Sequence, residues 1–75
     1  MDQGICHLNC ISIRSDADDR SEMISQLLFG ETFHILEERD QWYLIYADFD
    51  HYEGWVLKIQ VTLLPHEVYK QIKAD

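Results

Sequence analysis

Apolar residues in this chain come in short alternating runs, broken every few positions by turn residues. The stretch Ser25-Gln26-Leu27-Leu28-Phe29-Gly30-Glu31, continuing through Thr32-Phe33-His34-Ile35-Leu36, reads as a strand, a tight corner and a second strand. Leu28 and Phe29 are adjacent, so an extended backbone directs them to opposite faces. Gly30 supplies a backbone free to take positive φ, as a sharp corner needs. Beyond it Phe33 and Ile35 alternate with Thr32 and His34, which predicts one buried face and one wetter face.

The rest of the pattern is built around this corner. Gly4 to Arg14 alternates with a phase slip: Cys6, Leu8 and Cys10 share one face, Ile11 and Ile13 the other. A bulge or break near Cys10-Ile11 would bring both sets to one core. Residues 15–22 are polar and without periodicity, a loop longer than the two to five residues usual for a hairpin. Met23–Leu28 returns to strand character. The strand Thr32–Glu38 ends in a charged turn, Glu37-Glu38-Arg39-Asp40-Gln41, and Trp42-Tyr43-Leu44-Ile45-Tyr46 follows, apolar or aromatic on both faces. Asp48 to Glu53 reads as a solvated hairpin tip, Gly54–Leu57 as a short strand, Lys58–Gln60 as one 3-10 turn, and Val61–Leu64 as the closing strand. Pro65 suits a first helical position, and Val68 with Ile72 makes an i, i+4 apolar pair, with Lys70 and Lys73 near the helix's negative end. A helix this short is marginal alone and is expected to be poorly packed. The pattern predicts an all-β fold, a small barrel of about five strands at residues 4–64, then a helical linker at 65–75 toward a further domain.

Size and charge narrow the functions. Seventy-five residues make one domain, able to bury about 60% of its unfolded surface. The formal charge is −8, with six Lys and Arg against fourteen carboxylates. Nucleic acid and anionic membranes need a basic face and are poor partners, whereas an amine-bearing ligand suits this field. No apolar run approaches a membrane span. The opening Met1-Asp2-Gln3-Gly4 has no signal-peptide character, which predicts a cytoplasmic protein. Cys6 and Cys10 on one continuous strand would stand about 13 Å apart, too far for a disulfide, and both are expected as reduced core thiols.

Candidate chemistry is sparse. Cys6 and His7 are neighbours on a strand and point apart, so they cannot form a nucleophile–base pair. Cys6, Cys10, His34, His51 and His66 lack zinc spacing. Asp48-x-Asp50-x-x-Glu53 is too short for an EF-hand and lacks its mid-loop glycine. No metal or other cofactor is expected.

The residues Gly4-Ile5-Cys6, Ser21-Glu22-Met23, Ser25 to Glu31, Leu36-Glu37-Glu38, Trp42 and Tyr52-Glu53-Gly54-Trp55-Val56 together carry a family resemblance. Across residues 4 to about 63 the chain resembles a bacterial SH3-like domain, most closely the N-terminal SH3-like domain of NlpC-family cell-wall cysteine peptidases. The resemblance implies an SH3-like barrel with an accessory role. A downstream peptidase domain of the same polypeptide would carry Cys, His and a polar orienting residue, and would cleave the bond from D-glutamate to a diamino acid in peptidoglycan-derived peptides. The SH3-like domain would help restrict which peptides enter.

The long loop is then the candidate site. Glu22, where the loop rejoins the sheet, is placed to pair with the free amino group of a trimmed stem peptide, helped by Ser21, Asp16 and Tyr52. Asp16, Asp18 and Asp19 lie nearer the tip, where solvent screens them and weakens their effect. Trp42, Tyr43, Tyr52 and Trp55 are expected mainly as core and barrel-closing residues, with one or two left as a contact platform. The alternative is a stand-alone SH3-like interaction module for proline-rich peptides. It would call for an Ala-Leu-Tyr-Asp-Tyr-like run before the loop and a second Trp after Gly-Trp. Here Ile11-Ser12-Ile13-Arg14 and Val56 stand in those places. A wall-anchoring module would need a basic surface, which this chain lacks.

Overall fold

The computed structural model describes residues 2–74; Met1, the first residue of the stretch read for signal-peptide character, and Asp75, the last residue of the expected linker, lie outside the described residues. Seven strands occur in chain order: β1 (Gln3–Ile5), β2 (Cys10–Arg14), β3 (Met23–Leu28), β4 (Thr32–Arg39), β5 (Trp42–Ala47), β6 (Glu53–Leu57) and β7 (Thr62–Leu64). A 3-10 turn at Lys58–Gln60 precedes β7, and α1 (His66–Ala74) follows it. The strands form one antiparallel sheet in the order β3-β2-β6-β5-β4-β1-β7.

One face of the sheet encloses one core. Cys6, Ile11, Ile13, Leu27, Phe33, Ile35, Ile45, Ala47 and Val56 form a single buried cluster. Each Ile, Leu, Val or Phe in it contributes about 1.5–3 kcal/mol of transfer free energy. The expected alternation of Phe33 and Ile35 is present, and both are buried. It ends at a bulge between Ile35 and Glu37, where the β4–β5 register shifts and Leu36 turns outward.

Gly30 sits at φ +85°, the left-handed conformation expected of the corner. The residues before it are phased differently from the simplest reading. Leu27 is the buried one, and Leu28 and Phe29 are both exposed. The corner is held by Gly30 N–H donating to the Cys6 carbonyl at 2.8 Å and Cys6 N–H donating to the Glu31 carbonyl at 2.9 Å.

These same bonds explain why seven strands form rather than about five. They pull Cys6 out of line after β1, so the first alternating run breaks at residues 6–9, ahead of the expected Cys10-Ile11 position. Only part of the predicted face is therefore buried. Cys6 enters the core, but Leu8 and Cys10 are exposed, which corrects the expectation of two core thiols. Both cysteines are free.

The C-terminal helix departs from its expected poor packing. Val68 and Ile72 remain partly exposed, but Tyr69 is buried against the sheet. The apolar pair is the weaker signal because the anchor is one residue along.

The two thiols should differ sharply in reactivity. Burial, with the neighbouring Cys10 and Glu31, raises the Cys6 pKa against a lowering contact from the Leu8 carbonyl, and thiolate is the reactive form. Alkylation of the native protein should label Cys10 quickly and Cys6 only on unfolding; two equally fast labels would contradict the core assignment.

Candidate functional site

Residues 15–22 fold back on themselves between β2 and β3. Arg14 Nη1 donates to the Ser21 carbonyl at 2.8 Å, and Ser15 N–H donates to the Glu22 carbonyl at 2.8 Å, closing the loop base. Inside the loop, Ser21 Oγ donates to the carbonyls of Asp16 and Asp18 at 2.9 and 2.6 Å. The carboxylates of Asp16 and Asp18 accept from the N–H groups of Ala17 and Arg20, both at 2.8 Å. Such short polar side chains replace a hydrogen-bond ladder where the backbone turns too sharply for one.

The loop leans toward the tip of the β4–β5 hairpin. Asp16 Oδ1 lies 3.6 Å from Arg39 Nη1, and the Arg39 guanidinium covers the Trp55 ring at 4.6 Å. Ser21 and Asp16 thus meet within one loop, and Glu22 stands at its base with an exposed carboxylate that no cation pairs with among the described residues. Tyr52 is half exposed and does not join them. The β5–β6 register sets Trp42 opposite Leu57 at the Arg39 end and Tyr46 opposite Glu53 at the other, so Tyr52 lies beyond the far end of β6. Trp42 and Trp55 are buried, and Arg39, which reaches Asp16 of the loop, stacks on the Trp55 ring.

A carboxylate expected at a solvated hairpin tip, that of Asp48, instead accepts hydrogen bonds from three side chains. Asp48 follows β5, and its N–H donates to the Thr32 carbonyl at 3.1 Å. Its side chain is only 9% exposed. Thr32 Oγ1 and the Tyr69 hydroxyl both donate to Oδ2 at 2.8 Å, and His34 Nδ1 donates to Oδ1 at 2.9 Å. The His34 ring also meets Tyr69 edge-on, with centroids 5.1 Å apart. Thr32 and His34 are two residues apart on β4, so they share the face opposite Phe33 and Ile35. That face was expected to be wet. Tyr69 of α1 covers it, and the buried polar groups satisfy one another.

Burial acts to raise the Asp48 pKa, but the hydrogen bonds from Thr32, Tyr69 and His34, with the His34 charge, outweigh it and hold the carboxyl below its usual value. Burial and the same contact with Asp48 push the Tyr69 phenol up to about 12. A sequence signal for this network existed in the Thr32-x-His34 pair, but its partner comes from a turn and its cover from a helix.

Cys6 and His7 do not form a catalytic pair. The Cys6 thiol contacts the Leu8 carbonyl at 3.2 Å inside the core, whereas the exposed His7 ring shares a hydrogen bond with Thr62 Oγ1 at 2.6 Å.

A small antiparallel sheet wrapped on one core, with a self-bonded polar loop between two adjacent strands and a 3-10 turn before the last strand, is the architecture of an SH3-like domain. Residues 13–61, well over half of the chain, match the bacterial dipeptidyl-peptidase Sh3 domain family, and the chain belongs to that family. Among curated proteins, none matches the chain.

The Asp48 network gives stability a definite pH dependence. A carboxyl whose folded pKa lies below its unfolded value of about 3.9 stabilises the fold above that value, and the contribution is lost as pH falls through the folded pKa. Asp48→Asn should lower stability at neutral pH by about 1–3 kcal/mol and flatten the acid limb below about pH 4. Denaturant titrations across that range should show it, and an unchanged acid limb would remove Asp48 from the account.

Proposed function

We propose that this chain is a non-catalytic accessory domain of a bacterial peptidase, and that its partner is an NlpC-family cysteine peptidase domain of the same polypeptide. The observation that carries the reading is the match of residues 13–61 to the dipeptidyl-peptidase Sh3 family. The resemblance of Ser25–Glu31 and Glu53–Val56 to SH3-like domains of NlpC peptidases narrows it to γ-D-glutamyl-diamino acid bonds in peptidoglycan-derived peptides. The free thiols Cys6 and Cys10 suit a reducing, cytoplasmic setting, and hence the recycling of wall fragments.

In this reading the loop at residues 15–22 selects the substrate. Its base is fixed by the Arg14–Ser21 and Ser15–Glu22 bonds, so Glu22 projects from an anchored position. An unpaired carboxylate there offers an ammonium group a charge-assisted hydrogen bond. A stem peptide trimmed to a free N-terminal L-Ala carries that ammonium, whereas one still amide-linked to sugar does not. Discrimination arises when a neighbouring domain excludes water from Glu22, because the amide then leaves the carboxylate buried without a partner.

In a polypeptide joining this domain to its peptidase domain, Glu22→Gln should lower kcat/KM for free-amine peptides roughly tenfold or more, as loss of a charged hydrogen bond does. N-acylated peptides should be little affected, and the isolated 75-residue chain should release no product. Equal losses on both substrates would take Glu22 out of the selecting site.

A further inference from the structure

An apolar surface remains along β3, at the edge of the sheet. Met23, Ile24 and Leu28 of β3, with Phe49 from the turn after β5, line a cavity of about 420 Å³ to which Glu31 and Asp50 add carboxylates. An adjoining cavity of about 390 Å³ shares Glu31 and Phe49 and runs past Thr32 and Asp48 to Ile72 and Lys73 of α1. Together they form one groove beside the sheet edge. Phe49 is 75% exposed and Phe29 71%, and a cluster of large apolar residues on so acidic a surface marks a contact site rather than scattered exposure.

The backbone beside this groove is open. β3 is the terminal strand of the sheet and pairs only with β2 among the described residues. Phe29 N–H donates to the Asn9 carbonyl at 3.2 Å, which sets the phase of the ladder. Residues 25, 27 and 29 turn their backbone groups toward β2, and Gln26 and Leu28 turn theirs outward. Leu28 is capped locally: its N–H donates to Glu31 Oε1 at 2.8 Å, and its carbonyl accepts from Glu31 N–H at 3.0 Å. Gln26 has no such cap. Its N–H and carbonyl face the open side, as a strand needs if it is to accept a neighbour.

We propose that this groove binds an extended polypeptide segment that alternates apolar and basic residues, added as a further strand along β3. Charge complementarity selects this occupant. Glu31 keeps Oε2 for a cation while Oε1 holds the turn, Asp50 lines the same cavity, and the chain's charge of −8 attracts a basic segment and repels a second copy of itself. The apolar residues of the segment lie against Met23, Leu28 and Phe49, and its Lys or Arg side chains, whose long apolar stems can bend round the strand, bring their charged ends to Glu31 and Asp50. This site adjoins the base of the loop at residues 15–22 through Met23 but does not depend on substrate selection there.

The test uses acetyl-Lys-Val-Lys-Val-Lys-Val-amide as probe and its Glu-Val counterpart as control, each titrated into isotope-labelled chain. The lysine peptide should shift the amide signals of residues 24–28 and 49–50, bind at least about tenfold tighter than the glutamate peptide, and weaken as salt is raised. Phe49→Ala, a change at an exposed position, should reduce affinity about tenfold with an unchanged circular dichroism spectrum. Gln26→Pro removes the outward N–H without touching the β2 ladder and should abolish binding. If Gln26→Pro does not fold, Phe49→Ala decides alone. Equal affinity for both peptides, shifts confined to residues outside the groove, affinity unmoved by Phe49→Ala, or self-association in place of peptide binding would each overturn the proposal.

Discussion

Burial of the Asp48 carboxylate where β4, β5 and α1 meet is possible only because three donors converge on it. A lone carboxylate there would carry a desolvation cost of several kcal/mol. Thr32, His34 and Tyr69 supply donors from a strand and a helix, 14 to 21 residues away along the chain. The arrangement commits the polar face of β4 to α1 and so fixes where the chain leaves the barrel. It also holds the turn that carries Phe49 and Asp50, because Asp48 begins that turn and is tied to Thr32 through backbone and side chain alike. His51 closes the same turn at φ +61°, its N–H donating to the Ala47 carbonyl at 2.9 Å and its ring bonded to the Tyr46 hydroxyl.

Two surfaces follow from this frame, and they differ in chemistry. The loop at residues 15–22 is anchored at the Arg39 and Trp55 side, with its polar groups satisfied internally and the Glu22 carboxylate left over. The groove lies between the open edge of β3 and the Asp48 turn, with apolar walls and two carboxylates. Both are attached to the same core: β2 and β3 border the loop and contribute Ile11, Ile13 and Leu27 to the buried cluster. Gly54 shows how close that packing is, since an added Cβ there would stand 2.3 Å from Ile13 Cγ2 and 2.9 Å from the Arg14 carbonyl. A tight joint under the loop base keeps Arg14 in position to hold the Ser21 carbonyl.

Much of the fold was legible because period and turn chemistry agree in this chain. The Gly30 corner, the Phe33 and Ile35 face, the 3-10 turn at Lys58–Gln60 and the short strand ending at Leu57 each rest on a local signal that tertiary packing did not override. The misreadings fall where a long-range contact decides the outcome. Cys6 is drawn aside by Gly30 and Glu31, which strands Cys10 on the surface. Leu27 displaces its neighbours from the core because the β2–β3 register pairs it with Ile11. Asp48 looked like a solvated tip because nothing near it in sequence reveals Tyr69. The loop carboxylates were visible as a polar run, but their internal hydrogen bonds and the distance to Tyr52 depend on register and were not.

The central claim is that the Asp48 network makes α1 part of this domain rather than a loose extension of it. Amide hydrogen exchange of the 75-residue chain and of its Tyr69→Phe variant, read at α1 and at β4–β5, measures this directly. The account predicts measurable protection in the second half of α1 in the parent chain, reduced about tenfold or more by removing the single hydroxyl, with β4 and β5 unchanged. Exchange in α1 as fast as in an unfolded peptide in the parent chain, or protection unchanged in Tyr69→Phe, would contradict it.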